Sequence, residues 1–315
     1  MPNVLAVDLG GTKCSAAAVD RTGRIVSRHT VSADHSSSLA PVHQIVQLAR
    51  LLAAPRKPKA AFAAAAVAVP GLVRRSGTVW APNLPGWDRM PLASHLKRAL
   101  GMPVLVESDR NAAVLGECWR GAAKGKSDVI VLMVGTGIGA GILSGGRIIR
   151  GAHELSGCAG WLTVTGEVAP GRKNMGELES LAAGPAIARA ARERLRRGDE
   201  GSLSELDAPQ ITAHEVAAAA RQGDPMARDI FARAGKVLGL GVANIVSLFD
   251  PQVVIIGGGM AAAADLYLES LRRALLERAQ PLAAKRVKLV VSKLGDAANL
   301  LGCARLAWDS AKPGR

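Results

Sequence analysis

The chain has 315 residues, 49% of them apolar and only 3% aromatic, with 40 Lys and Arg against 26 Asp and Glu for a formal net charge of +14. That length suits two lobes, and the composition suits a soluble α/β protein. The basic charge, spread along helices instead of massed in one tail, reads as solvated faces with some attraction for phosphorylated ligands. Without a set of stacking aromatics or a helix-turn-helix segment it argues against nucleic-acid binding. Cys14, Cys118, Cys158 and Cys303 match no disulfide or zinc spacing, so reduced, buried thiols are expected. The first residues lack a signal peptide's basic start, and no apolar stretch reads as a membrane span; a cytoplasmic protein is expected.

Residues 4–7, 14–19 and 24–31 form a predicted antiparallel meander whose second turn carries Gly23. A helix at 40–53 precedes the loop Pro55-Arg56-Lys57-Pro58, and the short side chains of 60–69 read as a buried strand, with helix as the competing assignment. A helix at 91–100 and a strand at 104–106 follow. The second half opens with a strand at 129–134, glycines at 135, 137, 139 and 141, and a hairpin at 142–149 around Gly145-Gly146. Residues 176–197 and 212–249 read as helices, the latter with Ile230, Ala234, Val237, Leu238, Gly241, Ile245 and Leu248 on one apolar face. A strand at 253–256, a helix at 261–279, a strand at 287–291 and a helix at 297–307 complete the chain. Both halves begin with strand, glycine turn and hairpin.

Three glycine turns follow three apolar runs: Asp8-Leu9-Gly10-Gly11-Thr12-Lys13, Gly135-Thr136-Gly137 onward, and Gly257-Gly258-Gly259. Glycine turns leave backbone N–H groups for an anion, and the last also opens a helix whose N-terminus favours phosphate. The first lacks P-loop spacing. The second fits a dinucleotide fingerprint on paper, but the β-type residues after it exclude a Rossmann unit. Singly each could be a plain tight turn; three in this order point to polyphosphate binding. Asp109 lies just past the strand at 104–106, at the head of a helix. It could be an N-cap, or a base that takes the proton from a hydroxyl attacking a γ-phosphate. Asn83 lies in a Pro/Gly loop that could serve only as a turn or could bind a polyol.

The ordering of Asp8-x-Gly-Gly-Thr-Lys13, Pro82-Asn83-Leu-x-x-Trp87, Asp109-x-Asn111-Ala-Ala with Gly116-Glu117, Gly135-Thr-Gly-Ile-Gly139 and Ile256-Gly-Gly-Gly259 resembles the ROK family, in particular its glucokinase-like branch. The resemblance covers nearly the whole chain. It implies an actin-like (ribonuclease H-like) two-lobe sugar kinase fold with a central cleft: an N-terminal lobe at 1–118 joined by the returning C-terminal helix 297–315, and a C-terminal lobe at 119–296. It further implies ATP and Mg²⁺ as cofactors, Asp109 as the base and a homodimer. Asp8 would hold Mg²⁺ through water beside Thr12 and Lys13. Gly10, Gly11, Gly135, Thr136 and Gly137 would hold phosphates, and Gly257, Gly258 and Gly259 would border adenosine. Asn83, Asp109 and Glu179 would bind the acceptor, with Ser108, Cys158 and Trp161 shaping its pocket.

The chain departs from the family at that pocket. Gly157-Cys158-Ala159-Gly160-Trp161 stands where the family has Gly-Glu-Ile-Gly-His, and the zinc-binding loop becomes residues 170–179 without a single cysteine, so no structural zinc is expected. Ser108 replaces an Asn. Losing polar contacts would penalise glucose by about 1 to 3 kcal/mol each. The expected reaction is transfer from ATP to a primary hydroxyl of a hexose-like substrate, an amino sugar or C7 cyclitol favoured over glucose. Cys158 and Trp161 could instead merely fill the space of the lost zinc site. The alternatives are an ordinary glucokinase using ATP or polyphosphate, and a non-catalytic sugar-sensing regulator, which the position of Asp8 so near Met1 disfavours.

Overall fold

The structure is a computed structural model that describes residues 2–82, 84–166 and 175–311. The chain divides into two compact units. Unit 1 comprises Met1–Lys126, Ile148–Ser156 and Asp296–Arg315, and unit 2 comprises Ser127–Arg147 and Gly157–Gly295. The short segment Ile148–Ser156 is a part of unit 1 that no feature of the sequence marks out.

Unit 1 is built on a five-stranded sheet of order β3-β2-β1-β4-β7. The meander β1 (Asn3–Leu9), β2 (Lys13–Val19) and β3 (Ile25–Ser32) is antiparallel, as its turn residues predict. After α1 (Ala40–Ala53) and the single turn α2 (Pro58–Ala61), β4 (Phe62–Val69) runs parallel to β1. Its alanines and valines are buried along the strand, and short side chains are what a strand covered on both faces requires. A small ribbon of β5 (Leu72–Val73) and β6 (Val79–Trp80), then α3 (Leu92–Leu100), leads to β7 (Val104–Ser108), parallel to β4, and α4 (Asp109–Arg120). Trp87, 1% exposed, fills the base of this region and donates its indole N–H to Ser38 O.

The last helix, α11 (Ala297–Ser310), packs on β1, β4 and α4. Glycine makes its crossing with α4 possible: a Cβ on Gly302 would stand 1.8 Å from Ala112 O, and one on Gly116 would stand 2.1 Å from Ala298 O. The two backbones touch there, which no larger side chain permits.

Unit 2 repeats the plan with sheet order β10-β9-β8-β11-β12. β8 (Val129–Val134) turns back at Gly135-Thr136-Gly137 into antiparallel β9 (Ile138–Ser144), followed by β10 (Arg147–Ile148). Gly139 and Gly141 therefore lie in a strand, opposite Met133 and Val131, and only 135–137 form the turn. The stretch expected as one helix at 176–197 is two, α5 (Glu177–Ala182) and α6 (Gly184–Arg196). Pro185 has no N–H to continue α5, and it starts a new helix instead. The stretch 212–249 likewise breaks into α7 (Ala213–Arg221) and α8 (Pro225–Phe249) at Gly223, whose φ is +103°, and Asp224 caps α8 by accepting from Ala227 N–H at 2.9 Å.

Helix α8 is long and apolar enough to cross a membrane by length and composition alone, contrary to the sequence reading, yet 61% of its most apolar window is buried in the fold. Its Leu248 is 78% exposed, so the buried face runs through Ile230, Ala234, Leu238, Val242 and Ile245 instead. Parallel β11 (Val253–Gly257), a 3₁₀ turn at Gly259–Ala263, α9 (Ala264–Arg278), the short α10 (Pro281–Arg286) and β12 (Lys288–Val291) close the unit. α10 occupies the gap between the expected helix and strand, and it is started by Gln280, whose side chain accepts from Leu282 and Ala283 N–H.

Candidate active site

In unit 1 two parallel strands end in carboxylates. Asp8 stands near the end of β1, with β4 beside it pairing Asp8 with Ala68, and Asp109 begins α4 directly after β7. Asp109 is the first residue of the helix, not its N-cap; that position belongs to Ser108, whose hydroxyl makes no capping bond. Asp109 Oδ1 accepts from Arg110 N–H at 2.7 Å. Burial raises the Asp109 pKa, opposed by that hydrogen bond and by the Arg110 charge. Burial also raises Asp8, to about 6, while a hydrogen bond from Asn299 Nδ2 at 3.0 Å lowers it and the charges of Asp109 and Asp296 raise it. Two carboxyl groups thus sit where a positive partner would relieve both.

Three neighbouring residues escaped the sequence reading. Asn299, on α11, orients Asp8, and its own Oδ1 is buried without a partner. Glu107, 6% exposed at the end of β7, accepts from Ser108 N–H at 3.0 Å and from Asn111 Nδ2 at 2.9 Å, and its other oxygen pairs with Arg150. Ser108 Oγ and Asn111 Oδ1 are buried without partners. No spacing in the sequence could have tied Asn299 to Asp8 or Arg150 to Glu107, since these pairs form through tertiary packing alone.

The first glycine turn is tight: Gly10 N–H donates to Lys13 O at 2.9 Å, and the imidazole Nε2 of His35 lies 2.9 Å from Gly11 O. Lys13 is 65% exposed and pairs with Asp296 at 3.7 Å. In unit 2 the same design recurs, with Gly135 N–H donating to Gly137 O at 2.9 Å. Of the expected bare amides, those of Gly10 and Gly135 are therefore taken up in closing their own turns. Glu179 Oε2 accepts from Ile138 N–H at 2.8 Å, so it braces the glycine turn from α5, and a Cβ on Gly137 would come within 2.8 Å of that oxygen.

A pocket of about 520 Å³ opens in unit 2, lined by Gly135, Thr136, Pro185, Ile211, Ala217, Gly259 and Met260 among others. Two of the three glycine turns thus meet at one cavity. Gly258, at φ +81°, holds the third turn against β8, where a Cβ would lie 2.4 Å from Val134 O. Tyr267 anchors the turn from below, its hydroxyl donating to Met260 O at 3.0 Å. Arg221 bonds Ala262 O and both oxygens of Asp265, and Arg192 bonds Ile211 O, so these two guanidinium groups brace the walls. The lining left between them is mostly apolar, which suits a flat heterocycle.

Trp161 ends a 3₁₀ turn at Ala159–Trp161 and is 59% exposed, and Cys158 is partly buried. Asn83 and residues 170–174 of the altered loop lie outside the described residues. All four cysteines are free; burial pushes Cys14 up to about 12 and Cys118 up to about 11, so neither is a ready nucleophile. Among the described residues no group of three or more His, Cys, Asp or Glu side chains could hold a metal ion.

Two units with the same strand order, each opening in a glycine-turned hairpin, define the actin-like fold of sugar kinases. The sequence profile of the ROK family matches residues 4–310, and the chain belongs to that family. It is 32% identical over 315 residues to a glucokinase of Streptomyces coelicolor, covering 96% of each chain. Among solved structures, the ROK family glucokinase from Streptomyces griseus in complex with glucose and AMPPNP matches with a TM-score of 0.83 and 32% identity, over 98% of this chain and 99% of that one. The ROK hexokinase from Thermus thermophilus matches with a TM-score of 0.80 and 33% identity, over 99% of this chain and 100% of that one. The chain therefore stands among the phosphotransferases of its family, the sugar kinases.

Proposed function

We propose that the protein transfers the γ-phosphoryl group of ATP to the primary hydroxyl of a hexose or hexose-like polyol. The observation that carries this reading is the meeting of two glycine turns at the apolar pocket of unit 2. Adenine would occupy that pocket beside Gly259 and Met260. Each unit offers amides for phosphate that its turn leaves over, those of Gly11 and Thr12 in unit 1 and those of Thr136 and Gly137 in unit 2. The relative from Streptomyces griseus, solved with glucose and AMPPNP, supports ATP as donor over polyphosphate.

The residues present fit a magnesium ion: Asp8 is a carboxylate crowded by two others, and Asn299 Oδ1 beside it is a buried oxygen lacking a partner. Mg²⁺ is held by one or two carboxylates with water and phosphate, so a site with a single acid suffices. Asp8 and Asn299 would hold it, and when bound it would supply charge neutralisation on the phosphates. Asp109 would accept the proton of the attacking hydroxyl while its Oδ1 stays tied to Arg110 N–H, which fixes the carboxyl's direction. Its raised pKa makes it a stronger base than an ordinary aspartate.

We assign acceptor recognition to Asn83, Ser108 and Asp109 in unit 1 and, separately, to Glu179, Cys158 and Trp161 in unit 2. An indole 59% exposed fills no buried void, which favours the reading in which Trp161 meets a ligand. With Cys158 and Trp161 replacing two polar contacts, an amino sugar or C7 cyclitol is the finer proposal, and the glucokinases among the relatives support glucose itself about as well. An ATP-consumption screen over glucose, mannose, N-acetylated hexosamines, free amino sugars and C7 cyclitols separates these; glucose winning widely would refute the proposed role of Cys158 and Trp161. Asp109→Asn should leave folding intact and lower kcat by about 10²-fold or more. The wild-type rate should fall on an acid limb displaced above the ordinary carboxylate range, and near-normal turnover by the variant would refute the assigned base. The four free cysteines accord with a cytoplasmic enzyme, and sedimentation would test the homodimer.

A further inference from the structure

Resting on the kinase reading, we propose that Glu107 is the positioning residue of the catalytic base. Its carboxylate is a buried hub with three bonds, and each is made to a part of unit 1 that governs where Asp109 points. Ser108 N–H and Asn111 Nδ2 flank Asp109 on either side in the chain, at 3.0 and 2.9 Å from Glu107 Oε1. Together they lock the first turn of α4. Arg150, from the segment Ile148–Ser156, holds the second oxygen.

The chemistry explains why this device is needed. A helix that begins on a base would ordinarily be fixed by a side-chain cap at the residue before it, but Ser108 makes no such bond. Glu107 takes over from one position further back, gripping the N-cap amide and the side chain of the third helical residue. The device needs a carboxylate because a neutral amide could keep the two bonds on its single oxygen but would present an NH2 and no charge to Arg150, so the side chain would lose the partner that holds it in place. A buried anion in turn needs its cation, so Arg150 is part of the same device. Asp109 owes its own orientation to Arg110 N–H, an amide of that locked turn, and an error of about 1 Å in a reacting group lowers rates by around 10²-fold.

The test uses the full-length enzyme with ATP and its best sugar acceptor. Glu107→Gln should lower kcat about tenfold or more while the KM for ATP stays within about twofold, because the adenine pocket lies wholly in unit 2 and Glu107 bonds Ser108, Asn111 and Arg150, none of them assigned to the phosphates. Asn111→Ser should lower kcat in the same way while the variant stays folded at the assay temperature, and Arg150→Lys should recover most of what Arg150→Ala loses. Unchanged kcat in Glu107→Gln, or a KM for ATP that rises as kcat falls, would overturn the proposal. If Glu107→Gln fails to fold, Asn111→Ser decides. Loss of fold in both would also overturn it, since the network would then serve the fold and not the base. An inactive wild type would defeat the kinase reading itself, a result separate from these.

Discussion

Gly302→Ala is a demanding test of how the fold positions Asp109, the proposed base. The added methyl would stand 1.8 Å from Ala112 O and 2.5 Å from Ala112 C, both backbone atoms of α4 that no rotamer change can move. Relieving the contact requires α11 and α4 to part by roughly 1.5 Å, undoing close packing along the crossing. Overpacking of this kind costs typically 1 to 3 kcal/mol, and rigid backbone on both sides puts the cost near about 3. Alanine returns about 1 kcal/mol through its better helix propensity. The clash wins, leaving a net loss of about 2 kcal/mol, or a fall in Tm of roughly 4 to 8 °C for a unit of this size. Because α4 carries Asp109 at its head, kcat should fall as well. Scanning calorimetry with parallel initial rates would measure both. A variant that melts at or above the wild-type temperature would refute the claim that backbone contact between these helices is required.

Two further outcomes follow from single groups. Asp8 has its carboxyl held near pH 6 against an ordinary 3.8, so the folded state keeps its proton more tightly than the unfolded chain. Its contribution to stability is fully present below about pH 4 and is lost as the pH rises through about 6. Asp8→Asn, without metal or nucleotide, should match the wild type at pH 4 and exceed it above pH 6 by about 1 to 3 kcal/mol in urea unfolding, and equal stability at pH 8 would exclude a buried charge at Asp8. Tyr267→Phe leaves Met260 O without its buried donor and should cost about 1 to 2 kcal/mol while raising the KM for ATP. A KM equal to wild type would separate that turn from nucleotide binding.

Much of this molecule is legible in one dimension because its determinants are local. Short β-rich runs and turn residues place the meander β1–β3, and the apolar runs at 129–134 and 253–256 became β8 and β11, each within a residue of its observed span. Three glycine turns and the Asp109 segment point to the proposed phosphate-handling site for the same reason: backbone conformation at glycine and the chemistry of a carboxylate are set by the residues themselves. Helix interruptions at Ala183 and Gly223 were missed, although Pro185 and Gly223 carried the signal, because apolar periodicity runs on across both breaks.

What the sequence could not supply is everything that depends on distance through space. Leu248 fits the apolar stripe of α8 and yet lies in solvent, because the face a helix buries is chosen by its neighbours, here α9 and α7. The bonds of Asn299 to Asp8 and of Arg150 to Glu107 join remote parts of the chain, and a buried polar group takes whichever partner folding brings within reach. Only packing turns Asp109 from a residue at a helix start into a partly buried carboxyl with a raised pKa, since desolvation belongs to the surroundings and not to the side chain.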